Sequence, residues 1–305
     1  MSTPLPARGP SREQVQPQGI GLSSPAEADD LLNLPETVIV PRHGWTPLQV
    51  DELRRHHELL LLLVQRNVKI RYKQTGLGIA WAVLQPLITM VLFTLVFGRL
   101  AGLSSDGSPY ALFSLAALVP WLYFSNALTQ ASTSLVENER LVTRIYFPRL
   151  LIPLASVLAG LLDLALAFAA LVLLMCAYGI YPDVKILAVP FFALLAATAA
   201  LAAATWLSAL NVFYRDVRYV VLFGIQCWLF VTPVAYSTSL LPQRLLPLYA
   251  LNPMVGVVDG FRWSLLGGVS TLDVTLPLSL LMTAVILVGG LYYFRRVEDS
   301  FADAI

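Results

Sequence analysis

The chain has 305 residues, 57% hydrophobic and 13% charged, with a mean hydropathy of +0.70 and a formal net charge of +1. A soluble domain carries roughly 25% charged residues, so this chain has too little charge to cover a water-facing surface. Its 20 basic and 19 acidic side chains nearly cancel, which excludes a nucleic-acid-binding arm.

Residues 1–48 are different material from the rest. The first fifty residues hold eight of the twenty prolines and eight charges. They lack the basic start and continuous apolar stretch of a secretory signal. This composition predicts a disordered, proline-rich cytoplasmic tail. Residues 49–75 follow as an amphipathic interface helix. Leu60, Val64, Val68 and Tyr72 recur at i+4, while Arg66, Lys69 and Lys73 form a basic stripe, with Arg71 close by. Such a helix either sets topology as a positively charged anchor or gates substrate access.

Spans are read from the gaps between charges, because a bilayer core of roughly 30 Å needs about 20 apolar helical residues. Lys73 to Arg99 encloses 25 uncharged residues and Asp106 to Glu137 encloses 30. Arg149 to Asp183 is interrupted by Asp163 alone, and Lys185 to Arg215 encloses 29. Arg218 to Arg244 encloses 25 and Asp273 to Arg295 encloses 21. The expectation is an all-α integral membrane protein whose six-helix transmembrane domain, 76–298, has spans near 77–98, 110–131, 151–178, 187–211, 219–238 and 275–294. Residues 299–305 form a cytoplasmic C-terminus.

Three intervening segments have their own patterns. The loop 132–149 carries Glu137, Asn138, Glu139, Arg140, Leu141 and Arg144 at helical spacings before Pro148. Leu141 and Ile145 give it a short apolar edge, which suits docking into a groove on a soluble partner; a solvated connector explains the pattern equally well. Asp163 lies deep in the third span, where an ionised carboxylate costs about 2.5–3.5 kcal/mol, and it is read as a structural hydrogen-bonding group. Residues 240–272 are apolar but broken by Pro242, Pro247, Pro253 and Gly267–Gly268, which predicts a re-entrant helical hairpin between spans five and six. Cys176 and Cys227 sit inside apolar runs and are read as small core residues. His43, His56 and His57 all precede the first span, so no metal set is expected.

Orientation follows from the Lys and Arg count near the spans. With both termini cytoplasmic, thirteen such residues lie inside and four (Arg99, Lys185, Arg244 and Arg262) lie outside, so the hairpin belongs to the outer side. Aromatics gather on span one (Trp81, Phe93, Phe97) and span five (Phe223, Trp228, Phe230), either as packing and interfacial belts or as a stacking surface. No GxxxxGK[ST] phosphate loop occurs, so any ATP used must be bound by another chain.

Several phrases together resemble the membrane subunit of type-2 ABC exporters, in the branch that exports polysaccharides and polyol phosphates. They are Arg66-Asn-Val-Lys-Ile-Arg-Tyr-Lys-Gln-Thr-Gly-Leu-Gly with Trp81 and Gln85-Pro86, then Arg144-Ile-Tyr-Phe-Pro-Arg149 with Pro153, then Tyr214-Arg-Asp-Val217. Thr232-Pro-Val-Ala-Tyr236, Leu251-Asn-Pro-Met254 and Phe261-Arg262 complete the set. The match covers about residues 45–305, and the proline-rich tail departs from it. The resemblance implies a non-catalytic permease in the bacterial cytoplasmic membrane, a homodimer served by two copies of an ATP-binding subunit. This chain would bind no cofactor; ATP and Mg would sit on the partner. The substrate implied is a lipid-linked glycan or polyol-phosphate polymer. It would enter by the interface helices (Arg66, Lys69, Arg71, Tyr72, Lys73) and pass between spans one and five of the two copies. The loop helix with Glu137–Leu141 and Arg144 would couple to the ATPase. An exporter of a small hydrophobic drug or lipid, and a membrane-bound transferase acting on lipid-linked sugars, are the alternatives.

Overall fold

The computed structural model describes residues 55–73, 78–144, 146–267 and 271–304. The predicted tail, 1–48, lies outside the described residues. Every regular element among those described is helical, and five helical segments are long and apolar enough to cross a membrane. In chain order the helices are α1 (His57–Lys73), α2 (Ala80–Phe93, continued as a π-helical stretch Thr94–Leu100), α3 (Tyr110–Glu137) and α4 (Glu139–Arg144). Next come α5 (Leu151–Ala177), α6 (Val189–Phe213, after a 3-10 turn Val184–Ala188) and α7 (Val217–Val231). The last are α8 (Leu246–Ala250), α9 (Pro253–Leu266), α10 (Leu272–Val297) and α11 (Phe301–Ala304).

α3 is the hub. In its most apolar stretch 83% of residues are buried, against 6% in α2. It packs on α5, α6 and α9, while α10 packs on α6 and α9. Within lipid the apolar side chains gain little from meeting one another, so close approach and polar cross-links hold such helices together. Asn211 Nδ2 on α6 donates to the Ser132 carbonyl on α3 at 3.0 Å, and Trp206 Nε1 donates to the Ile286 carbonyl on α10 at 3.0 Å. A methyl group at Gly290 would collide with Thr205 and Trp206, and one at Gly256 would meet Ser279, so both glycines set the approach of α10 to its neighbours.

The loops gather at two opposite ends. At one end α11 touches α4 and α6, and Phe301 packs against Phe213 and Phe294 with ring centroids 6.1 and 5.2 Å away. At the other end Lys185 lies over the Trp263 ring, 5.4 Å from its centroid, and Asp106 accepts from Ser237 and Ser239.

Two predicted elements differ in extent. The segment expected as a span at 219–238 is helical over 15 residues, Val217–Val231, about 22 Å at 1.5 Å per residue. The helix stops at Thr232 because Pro233 disfavours helical backbone in the residue before it. Of the hairpin expected at 240–272, the second arm is the 14-residue α9, but the first arm is helical over five residues. Pro242 and Pro247 restrict the first arm, whereas Asn252 caps α9 by accepting from the Met254 N–H at 3.0 Å. Cys176 and Cys227 are exposed on the chain rather than in its core. An apolar side chain facing lipid needs no protein cover, so an apolar run does not imply burial.

Candidate functional site

α1 packs along α5 and places its polar residues against two parts of the bundle. Leu63 is buried, and Leu59, Leu60 and Val64 pack against the cluster formed by Leu135, Val142, Leu151 and Phe294. Arg66 donates to the side-chain carbonyl of Asn138, the residue at the break between α3 and α4. Asn138 in turn donates its Nδ2 to the Ser134 carbonyl at 2.7 Å. α1 and the predicted coupling segment are therefore joined by a side-chain bond. Lys69 and Lys73 are exposed.

One turn beyond Arg66, Arg71 donates from Nη1 to Asp163 and from Nη2 to the side-chain carbonyl of Gln130. The Tyr72 hydroxyl donates to the other oxygen of Asp163. Asp163 thus acts as the structural hydrogen-bonding group expected, and its cationic partner comes from α1 rather than from another span. Burial pushes the Arg71 guanidinium below and the Tyr72 phenol above their ordinary ranges. These side chains line part of a cavity of about 680 Å³ between α1, α2, α3 and α5.

The segment whose spacing predicted a short helix near 135–146 is helical. α3 runs on to Glu137, Asn138 breaks it, and α4 covers Glu139–Arg144. Glu137, Glu139, Arg140 and Arg144 are exposed, Leu141 is half-buried and Val142 is buried. Val142, missed in the sequence, anchors α4 to the bundle, while Ile145 lies outside the described residues. Behind α4, Arg149 donates its backbone N–H to Glu298 Oε1 at 2.8 Å and its Nη1 to the Glu298 carbonyl. Its guanidinium also lies 5.9 Å from the Phe301 ring centroid. The C-terminal turn is thereby tied to the start of α5.

At the opposite end Arg262 is buried and stands 3.6 Å over the Phe113 ring. Its guanidinium donates to the carbonyls of Pro233 (2.7 Å), Val234 (2.8 Å), Tyr236 (3.1 Å) and Phe113 (3.3 Å). One turn earlier on α9, Asp259 accepts from Thr238 at 3.1 Å and Thr271 at 2.7 Å. The i, i+3 pair Asp259 and Arg262 inside an apolar segment was the signal for this network, which holds the chain that follows α7.

The sequence profile of the family described as ABC-2 type transporter matches residues 58–266, from α1 through α9. The chain belongs to this family. With five helical segments long and apolar enough to cross a bilayer among the described residues, it is a multi-pass membrane protein. It is 32% identical over 216 residues, 70% of this chain, to an O-antigen export system permease protein RfbA of Myxococcus xanthus, covering 82% of that protein. Two proteins of the same description from Klebsiella pneumoniae are 26% and 23% identical, each over 81% of this chain and 95% of their own length.

In this ABC-2 type transporter chain the six aromatics singled out in the sequence separate into distinct settings. Trp81 (51% exposed), Phe223 and Phe230 (68% each) are open on the single chain. Phe93 is half-buried and meets Phe97 edge-on at 5.1 Å. Trp228 is turned into the bundle, with Nε1 donating to Asn252 Oδ1 at 3.0 Å and its ring edge-on to Phe124 at 5.1 Å.

Proposed function

We propose that this chain is the transmembrane subunit of an ATP-driven exporter that moves a lipid-linked polysaccharide or polyol-phosphate polymer across the bacterial cytoplasmic membrane. The observation that carries the reading is family membership along α1 to α9 together with relatives described as O-antigen export permeases. ATP and Mg are bound by a separate ATPase subunit, a reading that the lack of a phosphate loop in this sequence supports. Two copies of this chain pair with two of the ATPase, and this chain carries no catalytic residue.

α2 and α7 favour a homodimer with these helices at its centre, since they are the least covered of the long apolar elements: α7 buries Val221 alone among its residues. Trp81, Phe223 and Phe230 then border the path. Phe93, Phe97 and Trp228 lie on the same two helices, Phe93 against Phe97 and Trp228 against Phe124. Six crossings of the membrane follow, with α7 and the turn after it as the fifth. Both termini are cytoplasmic, by the thirteen-to-four distribution of Lys and Arg. α1 is the interface helix, α4 docks on the ATPase through its exposed charges, and residues 240–272 form the outer hairpin. The domain limits are those read from the sequence: tail 1–48, interface helix 49–75, membrane domain 76–298 and C-terminus 299–305.

Deleting the gene in its host and restoring it in trans tests the reading. Deletion should remove the polymer from the cell surface and leave lipid-linked polymer inside, with restoration by the wild-type chain. Unchanged surface polymer after deletion would refute it.

A further inference from the structure

The cavity between α1, α2, α3 and α5 has a chemistry that its protein contacts do not use up. We propose that it is a binding site, within each protomer, for uncharged sugar units of the exported polymer. The proposal rests on the polysaccharide-export reading and names a site for that substrate beside the aromatic path between copies, with Trp81 at the edge of both.

Its volume, about 680 Å³, falls in the range of small-molecule sites. Gln85 on α2 and Asn126 midway along α3 both line it, and among the described residues neither side-chain amide has a hydrogen-bond partner. Both residues are half-buried on the single chain, and at membrane depth an amide without a partner is costly. Both amides offer a donor and an acceptor, the pair of functions a sugar hydroxyl matches. Val119, Leu122, Leu164 and Ala167 give the wall an apolar stretch, with the open indole of Trp81 at one side. A wall of that kind favours water poorly, but it suits the C–H face of a sugar ring whose hydroxyl edge meets the amides.

Charge decides against an anion. Arg71 and Asp163 are the charged residues among the described lining, and they neutralise one another. A phosphate headgroup would have to displace Asp163 and lie beside it, two like charges at close range. The pocket therefore selects neutral polyol surface and leaves a diphosphate-bearing carrier lipid outside it.

The test uses the full complex of this chain with its ATPase in nanodiscs. The probe is the delipidated polymer fragment released from the surface of cells that carry the exporter. A photoreactive derivative of the fragment should label peptides within 78–86 and 119–130 of the wild-type chain. Asn126→Leu and Gln85→Leu should each weaken fragment binding by about tenfold, the effect of leaving one sugar hydroxyl without its amide partner. Asn126→Ser, which keeps a donor and an acceptor, should retain more binding than Asn126→Leu, and inorganic diphosphate should not compete. Labelling confined to other segments, no fragment binding by the wild type, or displacement by diphosphate or by added phosphatidylglycerol overturns the proposal. If the leucine variants do not assemble, the labelling pattern on the wild type decides. A chain whose deletion abolishes surface polymer but whose pocket takes no label keeps the export reading and loses this site. A chain whose deletion leaves surface polymer unchanged loses both.

Discussion

Arg71 on α1 and Asp163 midway along α5 are an ion pair, 92 residues apart in sequence. The pair fixes where α1 lies on the bundle, and Tyr72 and Gln130 complete its hydrogen bonding. Asp163→Ala leaves Arg71 without its counter-charge, and Arg71→Ala does the converse. Each should lower stability by about 1.5–3 kcal/mol, read as a fall in the melting temperature of the detergent-purified complex. A double-mutant cycle should give a coupling of at least about 0.5 kcal/mol; additive effects would show that the two residues do not act as a pair.

The bond from Arg66 to Asn138 joins α1 to the break before α4, so both helices should move together during coupling. Charge reversal at the exposed Arg140 or Arg144 should weaken docking to the ATPase by roughly tenfold. Export should fall while membrane insertion is unchanged. Asn138→Ala should instead lower export with the ATPase still bound and hydrolysing. Co-purification yield and ATP turnover of each variant distinguish the two cases.

Arg262 serves four backbone carbonyls at once, those of Phe113, Pro233, Val234 and Tyr236. Arg262→Leu exposes the carbonyls of Pro233, Val234 and Tyr236 to an apolar site, at about 1–3 kcal/mol for each unpaired group. The expected result is failure to assemble, or a strongly lowered melting temperature. Arg262→Lys keeps the charge but not the planar fork, so it should fall between wild type and Arg262→Leu.

The aromatic residues should separate by setting. Trp228→Ala removes a hydrogen bond and a packed ring, and should lower complex yield. Phe223→Ala and Phe230→Ala sit at open positions and should change stability by no more than about 0.5 kcal/mol. If they border the path, surface polymer falls at unchanged complex yield; normal export in both variants assigns these rings to lipid contact.

Much of this architecture was legible because membrane spans are a matter of charge spacing. α3 starts at Tyr110 and α5 at Leu151, where the charge gaps put them, and α6 and α10 match within a few residues. The early end of α7 was hidden from hydropathy, since Pro233 sits inside an apolar run and acts through backbone geometry. The partner of Asp163 was hidden for a different reason: it lies on a helix outside the spans, where a search for intramembrane charges does not reach. Arg262 stood out as a charge in an apolar segment, but its acceptors are main-chain carbonyls, which leave no mark in a sequence. Cys176 and Cys227 show the converse limit, since apolar neighbours in a membrane protein mark lipid contact as readily as a core.

ATP-driven translocation by this chain with its ATPase is tested most directly in proteoliposomes carrying lipid-linked polymer on the outer leaflet. The measured quantity is the fraction of polymer shielded from an externally added lectin. That fraction should rise on adding ATP and Mg when both chains are present, and should stay flat with either chain alone. Shielding that does not respond to ATP with both chains present, or ATP hydrolysis by this chain without a partner, would contradict the account.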